Sequence, residues 1–114
     1  MGDKIMLYGI TNCDTVKRAC KYLDGKAVQY QFVDFRKNLL SVDMLEDWAE
    51  SVGWDTLLNK RSTTYRQLSE EQKNNITFEL LIEQPTLIKR PVLTSGTCIL
   101  VGFTESSYEQ FMVS

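Results

Sequence analysis

The stretch Leu7-Tyr8-Gly9-Ile10-Thr11-Asn12-Cys13-Asp14-Thr15-Val16-Lys17-Arg18 decides the fold. An apolar run from Ile5 to Gly9 reads as a short buried strand, and a polar loop follows it. From Asp14 the period changes. Val16, Ala19, Cys20 and Leu23 fall at i, i+3, i+4 and i+7, one apolar stripe of a helix spanning Asp14 to Leu23. Asp14, Lys17, Arg18 and Lys21 take the other face, and Asp24-Gly25 supplies the stop, with Gly25 in the left-handed position. Cys13 therefore stands where a strand has ended and a helix begins. A thiol there meets unpaired N–H groups of the first turn and the positive end of the helix dipole. Both favour thiolate, the nucleophilic form. The competing account is that a free cysteine is a small core hydrophobe. Position argues for the nucleophile at Cys13, and the buried stripe argues for core packing at Cys20.

Working outward, Val28 to Phe35 is rich in β-branched and aromatic residues and reads as a second strand. Strand, helix and strand within about 30 residues make a parallel βαβ unit. Asp34, Arg36, Lys37 and Asn38 read as a polar loop. Ser41 caps a helix through Val52 that Gly53 ends, with Met44, Leu45, Trp48 and Val52 as its apolar face. Leu57 and Leu58 belong to a further helical piece, and residues 59–66 form a basic, hydroxyl-rich connection. Ser69 with Gln72 makes a capping box, and Thr77 caps a helix that Pro85 stops. A strand then reaches Thr94, Ser95-Gly96 turns the chain, and Thr97 to Val101 returns as the hairpin partner, with Cys98 as a core or pleat residue. Thr104 caps a last helix with Tyr108, Phe111 and Met112 inward. Trp48 and Trp54 read as packing residues.

Composition narrows the chemistry. The chain has 114 residues and net charge -2, so one domain with its own core is expected. There is no basic stripe for nucleic acid, and the apolar run at the start is too short to span a bilayer. Met1-Gly2-Asp3-Lys4 is too polar to open a signal peptide, and Met6 occupies the position where myristoylation needs Ser or Thr. A monomer in the cytoplasm, with no nucleic-acid or membrane partner, is the expectation. Histidine is absent, which removes Cys–His and Ser–His catalysis. Three dispersed cysteines without histidine are a poor metal set, so no metal is expected. Val16 stands where a Cys-x-x-Cys motif would place a second thiol, and Cys20 is about 10 Å along the helix, too far for a disulfide. Activation of Cys13 then rests on the helix start and on Lys or Arg. Thr11, Asn12, Asp14 and Thr15 shape the loop, with the Asp14 and Thr15 N–H groups available to a thiolate or a bound anion. Lys17 adds a cation one turn on, or simply belongs to a solvated face.

The order β-α-β, helices, β-hairpin, α resembles the thioredoxin fold: α/β, with a mixed four-stranded sheet. In detail the chain resembles the ArsC-related proteins, and among them the short YffB-like branch. The resemblance rests on Tyr8-Gly9-Ile10 with Asn12-Cys13-Asp14-Thr15-Val16-Lys17, Gly53-Trp54 with Leu57-Leu58-Asn59, and Arg61 with Thr63-Thr64. It continues through Ile88-Lys89-Arg90-Pro91-Val92-Leu93 and Gly102-Phe103-Thr104-Glu105-Ser106-Ser107-Tyr108. It implies one ArsC-like domain over residues 1–114, with a thioredoxin-like core at about 4–38 and 86–114 and a helical insert at about 39–85. It implies that Cys13 is the nucleophile, that Arg90 and Arg61 bind substrate, that Arg90-Pro91 is a cis bond beside Cys13, and that glutathione is the co-substrate, with no tightly bound cofactor. No arginine follows Arg90, so the third oxyanion arginine of true arsenate reductases is missing. The expected function is a glutathione-dependent monothiol reductase acting on a small oxidised substrate or a protein thiol. An arsenate reductase proper and a Spx-like regulator that binds RNA polymerase are the alternatives.

Overall fold

The computed structural model describes residues 4–37, 40–96 and 98–113. Strand β1 (Ile5–Gly9) leads into helix α1 (Asp14–Gly25) and strand β2 (Gln31–Asp34). Five short helices follow: α2 (Val42–Val52), α3 (Trp54–Leu57), α4 (Thr63–Arg66), α5 (Glu70–Asn74) and α6 (Phe78–Glu83). A 3-10 turn at Pro85–Leu87 precedes the hairpin β3 (Val92–Ser95) and β4 (Cys98–Val101), and α7 (Glu105–Val113) closes the chain. The sheet order is β2-β1-β3-β4. β1 runs parallel to β2 and antiparallel to β3.

Register explains why the sheet is covered on both sides. Leu7 pairs with Leu93 and Tyr8 with Val92. Because side chains alternate along a strand, these two rungs feed opposite faces. Leu7 and Leu93 join Ala19 and Leu23 of α1 and Tyr108 of α7, all fully buried. Tyr8 and Val92 join Leu45, Trp48, Leu57 and Leu81 from the helices between β2 and β3. Those helices are held by their caps. The Ser41, Ser62, Ser69 and Thr77 side chains accept from backbone N–H groups of Met44, Tyr65, Gln72 and Leu80. Trp48 meets Tyr8 edge-on at 4.9 Å, and Trp54 stacks on Phe78 at 4.7 Å.

Several expectations shift. α1 runs on to Gly25, and the left-handed residue is Ala27 at φ 57, not Gly25. Ala27 N–H donates to Asp24 and Val28 N–H to Leu23, the bond pair that places the reversal two residues later. β2 begins at Gln31 rather than Val28, and residues 63–66 of the expected connection are helix α4, capped by Ser62. Ser95 belongs to β3, paired with Cys98, so the turn begins at Gly96. Cys98 is exposed, not a core residue, because the pleat turns it outward at the hairpin end. Asp34 closes β2 and is buried at 7% exposure instead of lying in a loop. Asn38 and Thr97 lie outside the described residues. Among the described residues, no helix is long and apolar enough to cross a membrane.

Candidate active site

Cys13 is the N-cap of α1. The turn that delivers it is closed by Cys13 N–H donating to Ile10 C=O at 3.2 Å. Thr11 within that turn donates from its hydroxyl to Asp34 Oδ2 at 2.6 Å, which ties the loop to the end of β2. Asp34 Oδ1 also accepts from Arg36 N–H at 2.8 Å. These bonds hold the Asp34 carboxyl below its ordinary range: Thr11 acts most strongly, then Arg36, with burial opposing. Across the loop, Gly9 lets α1 approach β1. A Cβ there would stand 2.8 Å from Val16 Cγ2, and the φ of Gly9 is not in the left-handed region, so space is the requirement.

Burial is the largest influence on the Cys13 thiol and by itself would raise its pKa. The Val16 N–H, the Arg90 guanidinium and the Thr15 N–H outweigh it together, and the net shift is downward. No side-chain hydrogen bond closes the cap, yet these donors face the sulfur closely enough to favour its charged form. The backbone donors are those of Thr15 and Val16 rather than of Asp14 and Thr15, because a cap atom reaches the second and third N–H of the helix.

Arg90 is placed by two carbonyls. Its Nη1 donates to Thr86 C=O at 3.2 Å and to Ile88 C=O at 3.1 Å. Its Nε is buried with no hydrogen-bond partner among the described residues. The Arg90–Pro91 peptide is cis, and Pro91 C=O accepts from Gly102 N–H at 2.8 Å, joining the residue after β4 to the site. The segment before Arg90 is clasped to the helical region. Leu58 and Ile88 form a bridge, Asn59 N–H donates to Leu87, and Lys89 N–H donates to Leu57 at 2.7 Å.

A cavity of about 490 Å³ opens over the sulfur. It gathers Cys13, Thr15 and Arg90 from the expected set. Thr11 and Lys17 line a separate groove over Phe32, on the other side of α1. Asn12, Asp14 and Arg61 line neither. Arg61 is exposed, and its N–H donates to Asn59 Oδ1 at 3.2 Å. The cavity adds Arg18 from the polar face of α1, Asn59 from the connection after α3 and Lys89 from the segment leading into the hairpin. Arg18 Nη2 lies 3.4 Å from Thr15 Oγ1, a bond one turn along α1. The i, i+3 spacing of Thr15 and Arg18 was the available signal. Among the described residues, no carboxylate lines the cavity, which gathers three cations and one sulfur. A larger cavity of about 580 Å³, between α2 and the hairpin, is lined by neither cysteine nor cation among the described residues.

A four-stranded mixed sheet with a lone cysteine at the start of its first helix, faced by the arginine before a cis-proline, defines a thioredoxin-like protein. The ArsC family model matches residues 8–111, and the chain belongs to that family. An uncharacterised protein of Haemophilus influenzae is 42% identical over 92% of this chain and 96% of its own. The solved structure of a YffB protein is 40% identical, covers 94% of this chain and 97% of its own, and superposes with a TM-score of 0.88. The global transcriptional regulator Spx 2 of Bacillus anthracis is 25% identical over 95% of this chain and 86% of its own.

Proposed function

We propose that the protein is a monothiol reductase that uses glutathione and holds no tightly bound cofactor, acting as a monomer in the cytoplasm. The observation that carries this reading is the isolation of an activated sulfur. Cys20 lies seven residues along α1, about 10 Å away by helical rise. Cys98 is three residues from Val101 at the far end of β4, about 10 Å by strand rise. The second thiol therefore comes from solution.

The chemistry follows from the groups present. The Cys13 thiolate attacks the glutathionyl sulfur of a mixed disulfide. The old S–S bond breaks, the substrate leaves as thiolate, and a Cys13–glutathione disulfide forms. A second glutathione thiolate attacks the glutathionyl sulfur of that adduct, releasing oxidised glutathione and regenerating the Cys13 thiolate. Arg90 and the α1 N–H groups favour the charged sulfur at both ends of the cycle. Glutathione carries two carboxylates and one ammonium, and Arg18, Lys89 and Arg90, the cations lining the cavity, complement the carboxylates. Arsenate is the weaker fit, because no arginine follows Arg90 in the chain. The regulator reading gives no role to a cation-lined cavity over the sulfur.

The test is exposure to oxidised glutathione followed by intact mass and peptide mapping, with turnover of a glutathione–hydroxyethyl mixed disulfide alongside. One adduct on Cys13, and turnover abolished by Cys13→Ser, are expected. No adduct, with turnover equal to that of Cys13→Ser, refutes the reading. Arsenate reduction exceeding disulfide reduction would move the assignment to arsenate.

A further inference from the structure

The cavity over Cys13 does not end at α1. A second cavity of about 470 Å³ continues from it, and Arg18 and Phe103 line both. The stripe Thr15, Arg18, Tyr22 and Gly25 steps along one face of α1 at intervals of three and four, so the two cavities form one groove down that face. From Cys13 to Lys26 the helix rises about 20 Å. An extended peptide advances about 3.3–3.6 Å per residue, so the groove takes about six residues and glutathione fills about half of it.

Its charge is as uneven as its length is excessive. Lys89 and Arg90 stand at the sulfur end, Arg18 at the junction, and Lys21 and Lys26 beyond it. Glu105 is the one carboxylate lining the groove among the described residues. No ion pair among the described residues engages these five cations. This is a positive strip on a chain whose net charge is -2. Between the cations lie Phe103 and Tyr22, packed edge-on at 5.9 Å, with Lys26 Nζ 5.7 Å from the Tyr22 ring. Flat apolar rings between cations suit a backbone with anionic side chains. The groove begins at a nucleophilic sulfur, so its occupant must bring an oxidised sulfur to that end, which a polypeptide does and a nucleic acid does not.

The geometry points to an acidic polypeptide segment, glutathionylated on a cysteine, as the substrate: the glutathionyl group seats over Cys13 and the acidic residues lie along α1 towards Lys21 and Lys26. This rests on the reductase reading for its chemistry, and the leaving group of the first step is then the peptide thiolate.

The binding arm uses intact Cys13→Ser protein, which cannot form an adduct at that position, and a fluorescent eight-residue peptide with one cysteine followed by glutamates. A glutamine version and a single-stranded oligonucleotide of equal charge serve as comparisons, read by anisotropy at low and physiological salt. The acidic peptide should bind roughly tenfold more tightly than the glutamine peptide, and Lys21→Glu with Lys26→Glu should remove that preference. Lys21→Gln with Lys26→Gln should give an intermediate loss. In the turnover arm, the ratio of kcat/KM for the glutathionylated acidic peptide to that for the small mixed disulfide should fall roughly tenfold on charge reversal. Equal binding of acidic and glutamine peptides overturns the proposal, as does a preference that survives charge reversal or tighter binding of the oligonucleotide. Charge-dependent peptide binding without any Cys13 adduct on the native protein supports the groove and refutes the reductase reading instead.

Discussion

Gly9→Ala probes the contact on which the site is hung. The new Cβ would stand 2.8 Å from Val16 Cγ2 and 3.2 Å from Cγ1. Carbon atoms settle at about 3.5–4.0 Å, so at least about 0.7 Å must be made up. Val16 is only 2% exposed and β-branched, so it has little freedom to turn away. The start of α1 must therefore move. Overpacking of this kind costs about 1–3 kcal/mol, and the gain of about 0.4–1 kcal/mol from stiffening the unfolded chain offsets part of it. A net loss of about 1–2 kcal/mol is expected, lowering the urea midpoint by roughly 1 M for a domain of this size. Val16→Ala alone removes two buried methyl groups and costs about 2 kcal/mol. In the double variant the clash is gone, so the combined loss should fall short of the sum by about 1–2 kcal/mol. Urea unfolding of the four proteins measures this. Thiolate absorbance adds a functional reading: displacing the Val16 N–H should move the Cys13 titration of Gly9→Ala to higher pH. An unchanged midpoint for Gly9→Ala, or full additivity with Val16→Ala, refutes the close-approach argument.

Three further outcomes are expected. Arg90→Leu removes the cation facing Cys13, so the thiol titrates at higher pH and reaction with oxidised glutathione at neutral pH slows several-fold; an unchanged titration would show that the helix start suffices. The lowered Cys13 pKa is itself a stability contribution, fully present above the unfolded thiol value of about 8.5 and lost as pH falls through the folded value. The stability gap between native protein and Cys13→Ser should thus widen from pH 6 to pH 9.5. Asp34→Asn weakens the tie to Thr11 and costs about 1.5–3 kcal/mol at neutral pH. Because the folded carboxyl is depressed, that contribution is present above about pH 3.9 and fades as pH falls through the folded value, so the two proteins should converge in acid. Tyr108 is fully buried and its hydroxyl has no hydrogen-bond partner among the described residues, so Tyr108→Phe should raise thermal stability by about 1 kcal/mol, and a loss would reveal a bonded hydroxyl.

The elements that could be read from the chain are those whose signal is local. β1 and α1 follow from a change of period at Cys13, and Ser41, Ser69 and Thr77 mark helix starts by cap chemistry alone. Helix α4 escaped because four residues carry no measurable period, and its Ser62 cap sits in a stretch that reads as basic loop. The site was half legible. Cys13 announces itself through its place between strand and helix, whereas Arg90 comes from the family resemblance that includes the Arg90-Pro91 pair. Lys17 and Arg18 show what was hidden. They are adjacent in sequence but about 100° apart around the helix, so Arg18 faces the cavity while Lys17 faces the groove over Phe32. Spacing from Thr15 separates the two faces, but which face meets the cavity is set by Phe103 and Thr104, about 85 residues further along the chain. Asp34 has the same difficulty, since a carboxylate at a strand end reads as solvated until Thr11 is brought to it.

The clasp between Leu57–Asn59 and Leu87–Lys89 makes Arg90 a passenger of the helical region, while Cys13 rides on the sheet. The two halves of the thiolate environment then answer to different local opening equilibria. Should the helices between β2 and β3 loosen while β1, β3 and α1 stay closed, the guanidinium departs and the sulfur keeps its N–H donors. Alkylation of Cys13 at mildly acidic pH, followed through a urea series below the global transition, would then slow before the sheet amides lose protection, making the chemistry of one sulfur a gauge of order in helices it does not belong to.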